Sequence, residues 1–215
     1  MNNERYAAYA AGKATREAGK NRLLAALAKL IRVLSVPPVM VTGIVVALAR
    51  ATDVVFRTTT EAALTALFLG AVPLFAYPLS LLLPKVRARG REGQRDLAFA
   101  LSTVGYAGGW LYGYLCHVTP ALSAIFTAYL FSVLLLMIFN KLLFIRASGH
   151  ACSVTGPLLL AAWFVGGWIV PAAALLYVLI FWASVYAGRH TRGEFLTGTA
   201  LCAAATALAF LICLI

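Results

Sequence analysis

The sequence predicts an all-α fold: a polytopic transmembrane helical bundle of six to seven spans, preceded by a basic amphipathic helix. Hydrophobic residues make up 62% of the 215-residue chain and charged residues only 12%. Soluble domains are roughly 45–50% apolar and about 25% charged. A spanning helix needs about 20 mostly apolar residues, and this chain contains several such runs in succession. A single membrane domain is therefore expected.

The N-terminal segment, residues 1–32, differs from the rest. It is rich in alanine, contains lysine or arginine at short intervals and has no apolar core. A signal peptide requires an apolar core, so we expect a basic amphipathic helix lying on the membrane surface. A regulatory or partner-binding arm is the alternative. The domain organisation predicted is this surface helix, 1–32, followed by one transmembrane domain, 33–215.

Seven apolar runs follow, at residues 33–49, 61–83, 97–116, 121–140, 150–169, 171–187 and 194–215. The third is rich in glycine, which favours close helix contact in lipid. Between the second and third runs lies the arginine-rich segment 85–95. Its Gly90 and Gly93 predict a flexible polar loop.

Charge predicts the orientation. The net charge of +11 could indicate a nucleic-acid partner, but basic residues also flank membrane helices on the cytoplasmic side. With seven spans and the N-terminus inside, only Arg50 and Arg57 of the 18 basic residues fall outside. We therefore expect no nucleic-acid partner. The chain is expected in the cell membrane, specifically a bacterial inner membrane, with membrane lipids as its surroundings.

The four cysteines are Cys116, Cys152, Cys202 and Cys213, and none forms a CxxC pair. Neither a zinc site nor a disulfide framework is indicated. We expect no metal and no cofactor.

Two polar connections, residues 140–150 and 188–194, carry the candidate chemistry. Two predicted spans separate them, so both lie on the same membrane face, predicted to be the cytoplasmic one. Ionisable residues at membrane depth are costly and usually functional. His190 and Glu194 are four residues apart and share a helix face, where a carboxylate can orient an imidazole. Ser148, Gly149 and His150 open a helix whose free N–H groups can hold an anion.

Lys141, Arg146 and Arg189 add positive charge to these connections, and arginine can bind phosphate through two parallel hydrogen bonds. Together the two connections indicate a phosphate site, with one histidine to attack and another to protonate the leaving oxygen. Each residue alone has a simpler interpretation, as a cytoplasmic end-anchor, an interfacial histidine or a helix N-terminal charge.

The same residues resemble the type-2 phosphatidic acid phosphatase superfamily, which includes bacterial lipid phosphatases and vanadium haloperoxidases. ASGH at 147–150 is similar to the family motif PSGH. ASVYAGRHTRGEFLTG at 183–198 aligns without a gap to SRVYLGVHYPSDVLAG. Identical positions are Val185, Tyr186, Gly188, His190, Leu196 and Gly198, and Glu194 replaces the family's aspartate.

The resemblance implies roles for these residues. His190 corresponds to the nucleophile that forms a phosphohistidine, Glu194 to the carboxylate that orients it, and His150 to the general acid. Residues corresponding to phosphate binders are Lys141, Arg146, Ser148 and Gly149. The family needs no metal.

The chain departs from the family pattern in three ways. Ser184 stands where the third motif has a phosphate-binding arginine. Lys141 and Arg146 are five residues apart instead of seven, and no proline follows Arg146. One predicted span precedes the usual six. We expect Arg189 or an arginine of segment 85–95 to replace the missing guanidinium.

The function expected is that of a metal-independent membrane lipid phosphatase. Its substrate would be a phospholipid or a polyprenyl phosphate or diphosphate. Two alternatives remain open: a lipid headgroup phosphotransferase on the same scaffold, and a non-catalytic lipid transporter or scaffold.

Overall fold

The computed structural model describes residues 22–215, and this range contains helices and no strand. The predicted surface helix is therefore described only from residue 22 onward, and residues 1–21 lie outside the described part. Within the described range the helices are α1 Arg22–Leu34, α2 Pro37–Ala51, α3 Thr59–Leu82, α4 Pro84–Ala88, α5 Gly90–Leu115, α6 Pro120–Leu142, α7 Gly149–Phe164, α8 Gly167–Tyr186 and α9 Arg192–Leu214.

Each of the seven apolar runs overlaps one of these helices. Four of them, α3, α6, α8 and α9, are long and apolar enough to cross a membrane. The pair α1 and α2, bent by 56°, passes the same test together, which gives four or five candidate spans among residues 22–215. The prediction of a helical membrane protein is thus supported, whereas six to seven spans are not confirmed. Helix α7 has only 16 residues, and α5 combines a charged first turn with many glycines and tyrosines.

The segment 85–95 is helical, so the prediction of a flexible loop is wrong. Pro84 occupies the first position of α4, where its missing N–H costs nothing. Gly90 has a φ of +56°, a left-handed conformation that glycine adopts without strain. The chain turns there and continues directly as α5.

Helix α6 lies at the centre of the bundle, with α5 and α9 packed against it. Close contact at the glycines of α5 is confirmed. A Cβ on Gly109 would lie 2.7 Å from Cδ1 of Phe126, and one on Gly105 would lie 2.4 Å from the carbonyl oxygen of Phe68. Only glycine allows α3 and α6 to approach α5 this closely.

Helix α7 packs between α9 and α2, and α8 packs against α1. The start of α7, the start of α9 and the end of α6 meet at one end of the bundle, where Ser148 N–H donates to the carbonyl of Glu194 at 2.9 Å. The bend between α1 and α2 reaches the same end through Ser35, whose Oγ lies 3.3 Å from Nε2 of His150. This meeting point is where the candidate site forms.

Candidate functional site

A cavity of about 930 Å³ opens at this end of the bundle. Both predicted connections line it, so the structure brings residues 140–150 and 188–194 together. Charged and imidazole side chains from four segments surround its mouth. They are Arg32, Arg89, Glu92, Arg95, Arg146, His150, Arg189, His190 and Glu194.

Asn140 holds the first connection against the end of α6. Its Nδ2 donates to the carbonyls of Leu136 at 2.9 Å and Ala147 at 3.1 Å. Its Oδ1 accepts from the N–H of Ala147 at 3.2 Å and from Nη2 of Arg95. One amide side chain therefore fixes the return of the chain toward α7 and also positions a cavity arginine. Sequence reasoning placed Asn140 at the start of this connection but gave it no role of its own.

Ser148 caps α7. Its Oγ accepts from the N–H of Ala151 at 3.1 Å, and the residue is only 1% exposed. This is the ordinary N-cap arrangement, in which a serine oxygen satisfies a free helical donor. Ser148 does not line the cavity, whereas its neighbour Gly149 does. The predicted anion-binding helix start is thus represented in the cavity by Gly149 and His150.

Glu194 serves two purposes. It forms a capping box with Thr191: Glu194 N–H donates to Oγ1 of Thr191 at 3.1 Å, and Thr191 N–H donates to Oε2 of Glu194 at 3.0 Å. The same Oε2 lies 3.7 Å from Nδ1 of His190. The pattern Thr-x-x-Glu signals such a box in sequence, and the box holds the carboxylate beside the imidazole. The two residues do not share a helix face as the spacing of four predicted, because α9 begins at Arg192 and His190 precedes its cap.

The second histidine comes from the start of α7. Nε2 of His150 lies within 3.3 Å of the hydroxyl of Ser35, a residue 115 positions earlier. Ser35 is 3% exposed and also donates to the carbonyl of Arg32 at 3.4 Å. The bend between α1 and α2 therefore fixes the ring of His150 and brings Arg32 to the cavity.

The predicted cations separate into two groups. Arg146 and Arg189 line the cavity, and Arg146 reaches Glu194 at 3.9 Å and Glu92 at 3.5 Å. Lys141 is not among the lining residues. Its ammonium instead pairs with Asp96, just before the third apolar run, and this hydrogen bond with that of Arg89 holds the pKa of Asp96 below its usual value.

Ser184 lies away from the cavity. It is 0% exposed, and its hydroxyl has no hydrogen-bond partner within residues 22–215. The guanidinium groups at the cavity come from elsewhere. Arg89 and Arg95 belong to the segment 85–95 that was expected to supply a replacement, and Arg189 also lines the mouth. Arg95 additionally stacks over Phe99, 5.5 Å from the ring centroid. Sequence reasoning missed Arg32 because no local pattern relates it to residues 140–194.

No family model, no curated protein and no solved structure matches the chain. The likeness to lipid phosphatases therefore rests on the motif residues quoted above. Of these, Arg146, Gly149, His150, His190 and Glu194 line the cavity.

Proposed function

We propose that the chain is a membrane lipid phosphatase that cleaves a phosphate monoester through a phosphohistidine on His190. The observation that supports this most is that His150, His190 and Glu194 line one cavity together with several arginines. An anion entering this mouth meets guanidinium donors suited to phosphate. The substrate belongs to the lipid phosphates, and the chain works without a metal or other cofactor. The mouth faces the cytoplasm, by the distribution of basic residues.

In the first step, Nε2 of His190 attacks phosphorus as the bond to the alcohol oxygen breaks. Glu194 lies beside the opposite ring nitrogen, Nδ1, which leaves Nε2 free to attack and stabilises the positive ring. His150 transfers a proton to the leaving alcohol. Burial and the nearby Arg32 lower the pKa of His150 to about 3 in the free protein, so in this proposal the ring takes up its proton when the anionic substrate binds. Since Ser35 faces Nε2 of His150, its Nδ1 delivers the proton.

In the second step, water gives a proton to His150 and attacks phosphorus. The nitrogen–phosphorus bond breaks and inorganic phosphate leaves. The arginines at the mouth stabilise the charge that develops on the phosphoryl oxygens in both steps.

Phosphate release by the purified protein in detergent micelles tests this proposal, with phosphatidate, lysophosphatidate and polyprenyl phosphates as substrates and a chelator present throughout. His190→Ala is expected to reduce release to background. The matched control is His117→Asn, at the opposite end of α5. His117 has a φ of 48°, which asparagine tolerates, and the control should retain full activity. Release by wild type that survives in His190→Ala, or no release from any of these lipids, refutes the proposal.

Glu194→Gln separates the two purposes of this residue. Glutamine also completes a capping box, so the variant should fold with nearly unchanged stability. It lacks the negative charge beside His190, so we expect kcat to fall at least tenfold with a smaller change in KM. If the fall in kcat is accompanied by a comparable fall in the free energy of unfolding, Glu194 acts only as a cap.

A further inference from the structure

Arg32 reaches the cavity from a part of the chain that lies outside the two polar connections. It belongs to the last turn of α1, more than 100 residues before His150. The structure nevertheless places it in the same cavity lining as His150 and His190. The two chemical steps proposed above give Arg32 no role of its own.

Ser35 joins the end of α1 to the ring of His150. Its hydroxyl donates to the carbonyl of Arg32 at 3.4 Å, so the same hydroxyl accepts from the Nε2–H of His150 at 3.3 Å. Ser35 is only 3% exposed, which keeps solvent away from both contacts. Because the contact uses the backbone carbonyl of Arg32, it holds the end of α1 at the site without involving the guanidinium.

The guanidinium of Arg32 acts on the same imidazole through its charge. Burial is the main cause of the lowered pKa of His150, the charge of Arg32 is the next, and His190 contributes in the same direction. A Coulomb interaction weakens with distance, so Arg32 and His190 both lie near the ring of His150. A phosphate held between the two histidines is therefore also close to Arg32.

A second guanidinium lies on the other side of such a phosphate. Arg146 reaches Glu194 at 3.9 Å, which places it on the His190 side of the mouth, whereas Arg32 lies on the His150 side. An anion between the histidines thus meets one guanidinium from each side. Two positive groups on opposite sides can share the charge of the phosphoryl oxygens during transfer.

We infer that Arg32 is a further catalytic residue, whose guanidinium binds a phosphoryl oxygen in the role that Ser184 cannot fill. This inference rests on the proposed phosphatase function and adds α1 to the active site. The charge of Arg32 has a second effect. It opposes protonation of His150 in the free protein, and a bound phosphate offsets that charge. Arg32 therefore binds the phosphate and makes proton uptake by His150 depend on it.

The test measures phosphate release from lipid phosphates by Arg32→Ala. We expect kcat/KM to fall about tenfold or more, the value of a hydrogen bond between charged groups. Free guanidinium ions can occupy the space left by the side chain and should restore part of the rate, whereas sodium chloride at the same ionic strength should not. The matched control is Arg22→Ala, at the exposed start of α1 and outside the cavity lining. It should keep the wild-type kcat/KM and gain nothing from guanidinium.

A second variant guards against a loss that comes only from misfolding. Arg32→Gln keeps a long side chain and a high helix propensity but removes the charge. It should show the same loss of kcat/KM with an unchanged thermal unfolding midpoint. Rescue by guanidinium serves the same purpose, because a purely structural role of Arg32 would not respond to it.

Binding of inorganic phosphate, measured by calorimetry, separates this inference from the proposed function. If His190→Ala abolishes lipid hydrolysis while Arg32→Ala leaves it unchanged, or lowers it without rescue, the phosphatase proposal stands and the inference is overturned. If wild type hydrolyses no lipid phosphate, the phosphatase proposal fails. A dissociation constant for phosphate about tenfold higher in Arg32→Ala but not in Arg22→Ala then supports Arg32 as the anion ligand. Equal constants, or no phosphate binding by wild type, refute it.

Discussion

Gly198 is the position where a single methyl group should most disturb the site. A Cβ there would lie 2.2 Å from the carbonyl oxygen of Ser148 and 3.0 Å from its nitrogen. Both atoms are backbone at the start of α7, so no flexible side chain can move aside. Gly198→Ala therefore forces α7 and α9 apart by about 1 Å, a distance that strains the hydrogen bond from Ser148 to the carbonyl of Glu194.

Two opposing effects set the magnitude. Overpacking of this kind costs roughly 1–3 kcal/mol, while replacing a helical glycine with alanine favours the helix by about 1 kcal/mol. Gly43 isolates the second effect, because nothing lies within 4 Å of a Cβ at that helical position. We expect Gly43→Ala to gain ~1 kcal/mol and Gly198→Ala to lose up to ~2 kcal/mol net.

Thermal unfolding of both variants in the same detergent measures the difference. For a chain of this size, each kcal/mol corresponds to about 2–4 °C, so the two midpoints should differ by roughly 2–12 °C, with Gly198→Ala lower. An unfolding midpoint for Gly198→Ala equal to or above that of Gly43→Ala refutes the close approach of α7 and α9 at this glycine.

Three further predictions concern the same end of the bundle and its sidedness. Asn140→Ala leaves partly buried backbone groups unpaired and should lower the free energy of unfolding by about 1–3 kcal/mol, measured by thermal or denaturant melts. The pKa of Asp96 is lowered chiefly by Lys141, so this carboxylate stabilises the fold above its unfolded pKa of about 4 and loses that contribution as the pH falls below it. The difference in free energy of unfolding between wild type and Asp96→Asn should therefore shrink on acidification. A difference that stays constant with pH contradicts the pairing. In Arg192→Cys, a membrane-impermeant thiol reagent should label the new thiol from the cytoplasmic side. The exposed native Cys116 should be labelled only from the opposite side. Labelling of both thiols from one side refutes the orientation.

Sequence patterns predicted the helices well and their relation to the membrane less well. Hydrophobic runs located every long helix because burial in lipid and helix formation require the same apolar composition. The segment 85–95 was misjudged since its glycines suggest a loop, while the helix start at Pro84 and the turn at Gly90 dominate. The number of spans depends on helix length and on bends, such as the 56° bend between α1 and α2. A run of apolar residues does not predict a bend angle, so the sequence did not predict the number of spans.

Residues of the site could be predicted where a local pattern reports them. The separation by two predicted spans placed His150 and His190 at one end. Glu194 lies beside His190, but through the capping box with Thr191 and not through the shared helix face that the spacing of four predicted. Arg32 and Ser35 could not be found this way, because they reach the site through long-range packing of α1 and α2. Lys141 was assigned to phosphate from its charge and from the family resemblance, yet its ammonium pairs with Asp96 and is neutralised there.

The structure also shows which motif residues can distinguish an enzyme from a non-catalytic scaffold. Several motif positions have a packing reason to persist whether or not the chain is an enzyme: Gly198 for helix approach, Ser148 as a cap, and Glu194 as the partner of Thr191. A non-catalytic scaffold would keep all three. The two histidines differ, since within residues 22–215 the hydrogen bond of His150 to Ser35, at 3.3 Å, and the ion pair of His190 with Glu194, at 3.7 Å, are their side-chain polar pairings. Neither contact caps a helix or fills the core. A polar cavity mouth needs no imidazole for folding, so His150 and His190 are the positions at which a catalytic role and a structural one make different predictions.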